Sequence, residues 1–149
     1  MTFDEIARAV DMRMATLPDV AYQVGTNSDP ATVTKPIPIA WDNVPAGADV
    51  ITAQNARTPW VRVTLIDGDS FTAGIGSGPC VRRTGLISVQ VFTARDIGSG
   101  PARQIASSIA AHIEYYQSGA LETQAARLIN AGPDDNYYMA VVQCGFRAG

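Results

Sequence analysis

Histidine is nearly missing from this chain: among 149 residues only His112 occurs. A multi-histidine metal site is therefore excluded, and any histidine-assisted nucleophile has a single candidate base. Cysteine is almost as scarce. Cys80 and Cys144 stand 64 positions apart with no CxxC or Cys/His spacing, so neither a zinc site nor a disulfide scaffold is indicated, and free thiols in a reducing compartment are expected. Long apolar runs are also lacking. Stretches such as Met139 to Val142 fall far short of the ~20 residues of a membrane-spanning helix. The N-terminus alternates charged and apolar residues where a signal peptide would carry its apolar core, so the chain is expected to stay where it is made, with no membrane partner. Positive charge is in deficit too. Eleven bases against fourteen acids give a net charge of −3 and a pI near 4.9, opposite in sign to the footprint of a nucleic-acid binder.

What is present fits one globular domain over residues 1–149. Hydrophobic residues make up 46% and charged residues 17% of the chain, and a chain of this length can bury a self-standing core. Ten of the eleven bases are arginine, with Lys35 the only lysine. The guanidinium fork suits protein interfaces, although codon bias is the plainer alternative.

Thr2 and Glu5 have capping-box spacing, and Phe3, Ile6, Val10, Met14 and Leu17 repeat at helical intervals, which predicts an amphipathic helix closed by Pro18. From about 20 to 36 the chain is polar, with Gly25, Asn27, Ser28, Asp29 and Pro30 clustered. It reads as an extended loop or arm, strand-like only at its start. Pro36 to Trp41 is a short extended segment that its two prolines confine to an edge, and a second polar loop is expected from Asp42 to Thr58. Trp60 to Ile66 alternates as a half-buried strand, and Gly85 to Thr93 gives another, with Ile87, Val89 and Val91 on one face. Leu86 and Phe92 make its other face partly apolar, a face suited to meeting a partner chain. Pro101 fits the first turn of a helix carrying Ala102, Ile105, Ile109, Ile113 and Tyr116 on one side, with Gly119 as its stop. Glu122 to Asn130 and Tyr137 to Arg147 read as a hairpin around Gly132 to Asn136. The resulting class is α+β, with a mostly antiparallel or mixed sheet of about five strands and two helices packed on one face.

Candidate sites are few. The pentapeptide Ile-Gly-Ser-Gly-Pro occurs at 75–79 and 97–101, but neither copy continues into a phosphate-binding motif, so both read as turns. Asp67, Gly68, Asp69 and Ser70 lack the spacing of a calcium loop and read as a turn after a strand. His112 borders the apolar face of its helix, a common place for a non-catalytic histidine. Asp134 and Asp135 have no opposing acid. No constellation supports an enzyme, and no cofactor is called for. Arg62, Arg82 and Arg83 read either as a solvated basic edge or as intersubunit contacts, and composition does not choose between these.

Taken in order, several segments carry a family likeness: the helix from Phe3 to Leu17, Trp41-Asp42-Asn43-Val44-Pro45, Trp60 to Leu65, Arg82-Arg83-Thr84-Gly85-Leu86-Ile87, Val89 to Phe92, the alanine-rich helix to His112, and Tyr137 through Phe146-Arg147. The chain thereby resembles the small tail terminator proteins of long-tailed bacteriophages and gene-transfer particles. The resemblance implies a virion structural protein, made in the host bacterial cytoplasm and resident at the head-proximal end of the tail. It implies a homohexameric ring that caps the tail tube, ends tube polymerisation, offers the joining surface to the head-tail connector or neck protein, and lets genome DNA pass through its lumen without specific binding. Under it, Arg62, Arg82, Arg83, Phe92, Asp67 and Asp69 are the expected subunit or tube contacts, and the loops at 24–35 and 67–79 supply contact surface that orders on assembly. A head-to-tail adaptor or neck protein is the nearer alternative, and a small-molecule-binding domain or enzyme the more distant one.

Overall fold

The computed structural model describes residues 1–26 and 28–149. The N-terminal pattern forms helix α1 (Phe3–Ala15). Its capping box closes as the spacing predicts: the Glu5 amide donates to Thr2 Oγ1 at 3.1 Å and the Thr2 amide donates to Glu5 Oε2 at 2.7 Å. These bonds to the Thr2 backbone and side chain hold the Glu5 carboxyl below its usual range, so the cap's support is complete above that range and fades as the pH falls through the depressed value. Ile6, Val10 and Met14 are buried, whereas Phe3 is 54% exposed and instead lies 4.3 Å beneath the Arg83 guanidinium.

The expected arm at 20–36 is a β-hairpin. Strands β1 (Val20–Thr26) and β2 (Asp29–Lys35) pair antiparallel from Val20↔Lys35 to Thr26↔Asp29. Asn27, part of the predicted turn cluster, lies outside the described residues. Val20, Tyr22 and Val24 alternate along β1, and all three join the main core. Polar residues dominate the rest of the segment, so this brief period-two signal was diluted. Strand β3 (Ile39–Ala40) is the short edge segment that Pro36 and Pro38 foretell. The second expected loop contains a further helix, α2 (Ala48–Ala56), of which only Val50 and Ala53 are buried. Two buried positions make too narrow a stripe for a helical period to show in the sequence.

The remaining elements are β4 (Trp60–Thr72), β5 (Val81–Ala94), α3 (Gly100–Ile113), β6 (Gln117–Ser118), β7 (Leu121–Asp134) and β8 (Tyr137–Ala148). Among the described residues the main sheet has six strands in the order β3-β4-β5-β8-β7-β6, and every pair is antiparallel except β3 with β4. This is the expected α+β class, with one more strand in the sheet and a separate two-stranded hairpin.

Alternation along the strands divides the interior in two. Val61, Val63, Ile87, Val89, Val91, Val142 and Phe146 face α1, α3 and β1 in the main core. Trp60 and Phe92 point the other way, into a second cluster with Val50 and Ala53 of α2. Two helices thus share one face as expected, but the third covers part of the other.

The second long helix stops earlier than Gly119. It ends at Ile113, with Glu114 as its cap. Tyr116, placed by sequence on the helix face, lies beyond it, under the Arg13 guanidinium at 4.4 Å. The buried Thr123 holds this corner: its hydroxyl donates to Ile113 O at 2.6 Å and accepts from the Tyr116 amide at 2.7 Å. Thr123→Val keeps the shape but orphans both groups, and is expected to cost about 1–3 kcal/mol, read as a lower urea midpoint with an unchanged slope.

Candidate assembly surface

The six residues singled out from sequence fall in three places. Arg62 projects from β4 on the face opposite the main core. Its guanidinium stands 5.5 Å from the Trp60 ring and 5.8 Å from the Phe92 ring. Beneath it Trp60 and Phe92 stack at 4.2 Å with planes 13° apart, and Tyr137 meets both edge-on at 6.1 and 6.0 Å. Arg62 also borders a hollow of about 450 Å³ formed by the Trp41 to Pro45 loop. The fold therefore joins two segments of the sequence likeness that lie far apart in the chain. Phe92 is itself 7% exposed: α2 and the neighbouring rings cover it within the chain.

Arg82 and Arg83 lie at the far end of β5, and successive strand residues face opposite sides. Arg83 is occupied internally. Its Nε donates to Met1 O at 3.2 Å and its Nη1 donates to Ser70 Oγ at 3.3 Å, which ties β5 to the start of α1. The Arg82 side chain has no hydrogen bond or ion pair among the described residues and lines a shallow groove with Phe71, Thr84, Leu86, Gln124 and Arg147.

Asp67 and Asp69 are not in a turn. They sit at a β-bulge where the β4–β5 register shifts between Asp67 and Ser70, and Thr84 Oγ1 donates to Asp69 O at 2.8 Å. The extra residue bends the strand, which then continues to Thr72, so the expected loop at 67–79 shrinks to the hairpin tip at 73–80. Ile75, in the first Ile-Gly-Ser-Gly-Pro copy, stands fully exposed there. The second copy leads into α3, with Pro101 in its first turn.

His112 and the thiols have structural surroundings. His112 Nε2 lies 2.8 Å from Arg13 O and 3.2 Å from Thr16 Oγ1, and Arg13 Nε donates to His112 O at 2.8 Å. These bonds fasten the end of α3 to the end of α1, and no carboxylate among the described residues is bonded to the ring. Both cysteines are free, Cys80 exposed and Cys144 buried. Burial pushes the Cys144 thiol up, which makes it a poor nucleophile. Burial, with the Asp42 carboxylate nearby, likewise raises Asp11.

Sequence reasoning marked the second face of the Gly85–Thr93 strand as a partner face but not which strands extend it. Registers align Arg62, Gln90, Val141 and Ile129 in one row and Thr64, Ser88, Gln143 and Arg127 in the next. This is a mixed face of amides, hydroxyls and arginines with Val141 and an exposed Ile129, on which Ser88 is buried. Arg127 donates twice to the Gln143 amide oxygen, at 3.1 and 2.7 Å, and Arg147 pairs with Glu122 at 2.8 Å. The extent of this surface is not announced in the separate strands, because strand order creates it.

A family model described as phage tail terminator protein matches residues 5–141. Among curated proteins no sequence matches significantly. A solved structure that carries no functional name superposes with a TM-score of 0.62 at 18% identity, covering 100% of this chain and 96% of its own. At that identity the likeness concerns the fold, and it extends over the whole α+β architecture.

Proposed function

Because the chain belongs to the phage tail terminator family, matched from residue 5 to residue 141, we propose that copies of it close into a six-fold ring that caps the head-proximal end of the tail tube. Family membership makes it a structural protein of a phage tail, which implies a virion protein and not an enzyme. In the proposed mechanism a heterologous contact repeats around the ring until it closes. One ring face matches the repeat of the tube and binds it. The other does not reproduce that repeat, so no further tube protein adds, and it offers the head-tail connector or neck protein a surface instead. Termination is then a matter of shape, and no bond is made or broken. A net charge of −3 suits a lumen through which DNA passes without sticking, since a basic wall would hold phosphates.

The match over nearly the full length carries this reading. Native mass as a function of concentration tests it: a closed hexamer is expected, and a stable dimer or dodecamer contradicts it. Arg82 supplies a sharper probe, since its side chain serves no internal bond. Arg82→Glu is expected to melt with the parent protein yet fail to form rings or attach to tails. Unchanged assembly would remove Arg82 from the contact set. Arg83→Glu differs, because it breaks the tie to Met1 and Ser70 and is expected to lower the melting temperature as well.

A further inference from the structure

The main sheet ends in two open edges. β3 covers β4 only at Val61 and Arg62, and β6 covers β7 only at Leu121 and Glu122. Beyond these, β4 from Val63 to Thr72 and β7 from Gln124 to Asp134 have no outer strand among the described residues. The Val61 amide donates outward to Pro38 O at 3.0 Å, so Val63 and Leu65 direct their backbone groups to the same open side. On β7 the Thr123 amide donates outward to Tyr116 O at 2.9 Å, and the Ala126 amide to Glu114 Oε2 at 3.0 Å. Alternation then turns Leu128 and Asn130 outward. Glu114 blunts one end of that edge, and the bulge at Asn130–Gly132 with Pro133 blunts the other, which leaves Arg127 to Asn130 unprotected, a condition that folded proteins ordinarily avoid.

We infer that these edges pair with each other between copies: Val63–Leu65 of one subunit joins Leu128–Asn130 of the next, and the sheet runs on around the ring. The inference rests on the ring reading above and names its interface. Three features single out a second copy as the occupant. β4, β5, β8 and β7 alternate in direction, so another β4 beside β7 continues the antiparallel order. Charge is complementary on the face away from the main core: beyond the bulge Asp69 lies there on the β4 edge without an ion pair among the described residues, and Arg127 on the β7 edge has only the Gln143 amide. Position agrees as well. Val61, where β3 covers β4, shares a row with Val91, Ala140 and Asn130, whereas Leu121, where β6 covers β7, shares one with Ala148 and Arg83. The open stretches are therefore offset along the strands, and a sheet that closes on itself needs such a stagger. Two different edges also make the contact heterologous, the kind that closes into rings.

Disulfide trapping in a Cys80→Ser background tests the pairing. Thr64→Cys and Ile129→Cys place thiols on the bare face of the two edges, and Arg127→Cys covers a two-residue slip of register. Within one chain the edges are three strand spacings apart, about 14 Å, too far to bridge. Mixing Thr64→Cys with Ile129→Cys or Arg127→Cys under oxidation is expected to give linked dimers several-fold more abundant than either variant alone gives, and the double variant a ladder ending at the ring. A ring by native mass with neither crosslink overturns the edge pairing and spares the ring. A monomer at every concentration overturns both.

Discussion

Ile109→Ala is expected to lower the free energy of unfolding by about 2–5 kcal/mol, read as a matching fall in the urea midpoint. Ile109 is fully buried on α3, within the cluster that joins the helix to β5, β8 and α1. The substitution removes three carbons from water-free packing and leaves a cavity in their place. Collapse to fill it is restricted because the helix is held at several points. Thr123 and His112 bond its C-terminal end, and the Gln23 amide of β1 donates to Gln104 Oε1 at 2.6 Å. Against a total stability of about 5–15 kcal/mol for a domain, the loss is large. It acts on the sheet's support and not on its edges, so residual folded protein should still assemble. A loss near zero would mean that the α3 face repacks freely.

Gly85→Ala is the second large effect, in the opposite sense of adding atoms. A Cβ at this position would lie 2.5 Å from Ile66 O and 2.5 Å from Phe146 Cζ. The Phe146 ring is buried in the main core and the Ile66 oxygen is main chain of the paired strand, so neither yields cheaply. Overpacking of this kind costs about 1–3 kcal/mol, and the backbone contact argues for the upper part of that range. Trimming the ring with Phe146→Leu should relieve only one of the two clashes, so the double variant is expected to remain less stable than Phe146→Leu alone. Equal stabilities of those two in urea would contradict the packing described here.

Four elements were legible in the sequence because their burial follows one strong period. Ile6, Val10 and Met14 on α1, Ile105, Ile109 and Ile113 on α3, and the alternating valines of β4 and β5 each bury a continuous stripe. The hairpin of β1 and β2 hid because only Val20, Tyr22 and Val24 carry its period and a polar turn outweighs them. Helix α2 hid because it packs by Val50 and Ala53 alone. The candidate contact arginines stood out by type alone, and only the fold shows the Arg83 side chain spent on Met1 and Ser70 while that of Arg82 makes no bond among the described residues. The open edges were beyond reach, since a strand's neighbours depend on the order in which distant segments come together.

Electron microscopy of phage particles assembled without this protein tests the central claim most directly. A protein that ends tube growth and joins tail to head should leave, when absent, tail tubes of uncontrolled length and heads without tails, with normal particles restored when it is supplied. Tails of uniform normal length attached to heads in its absence would contradict the account.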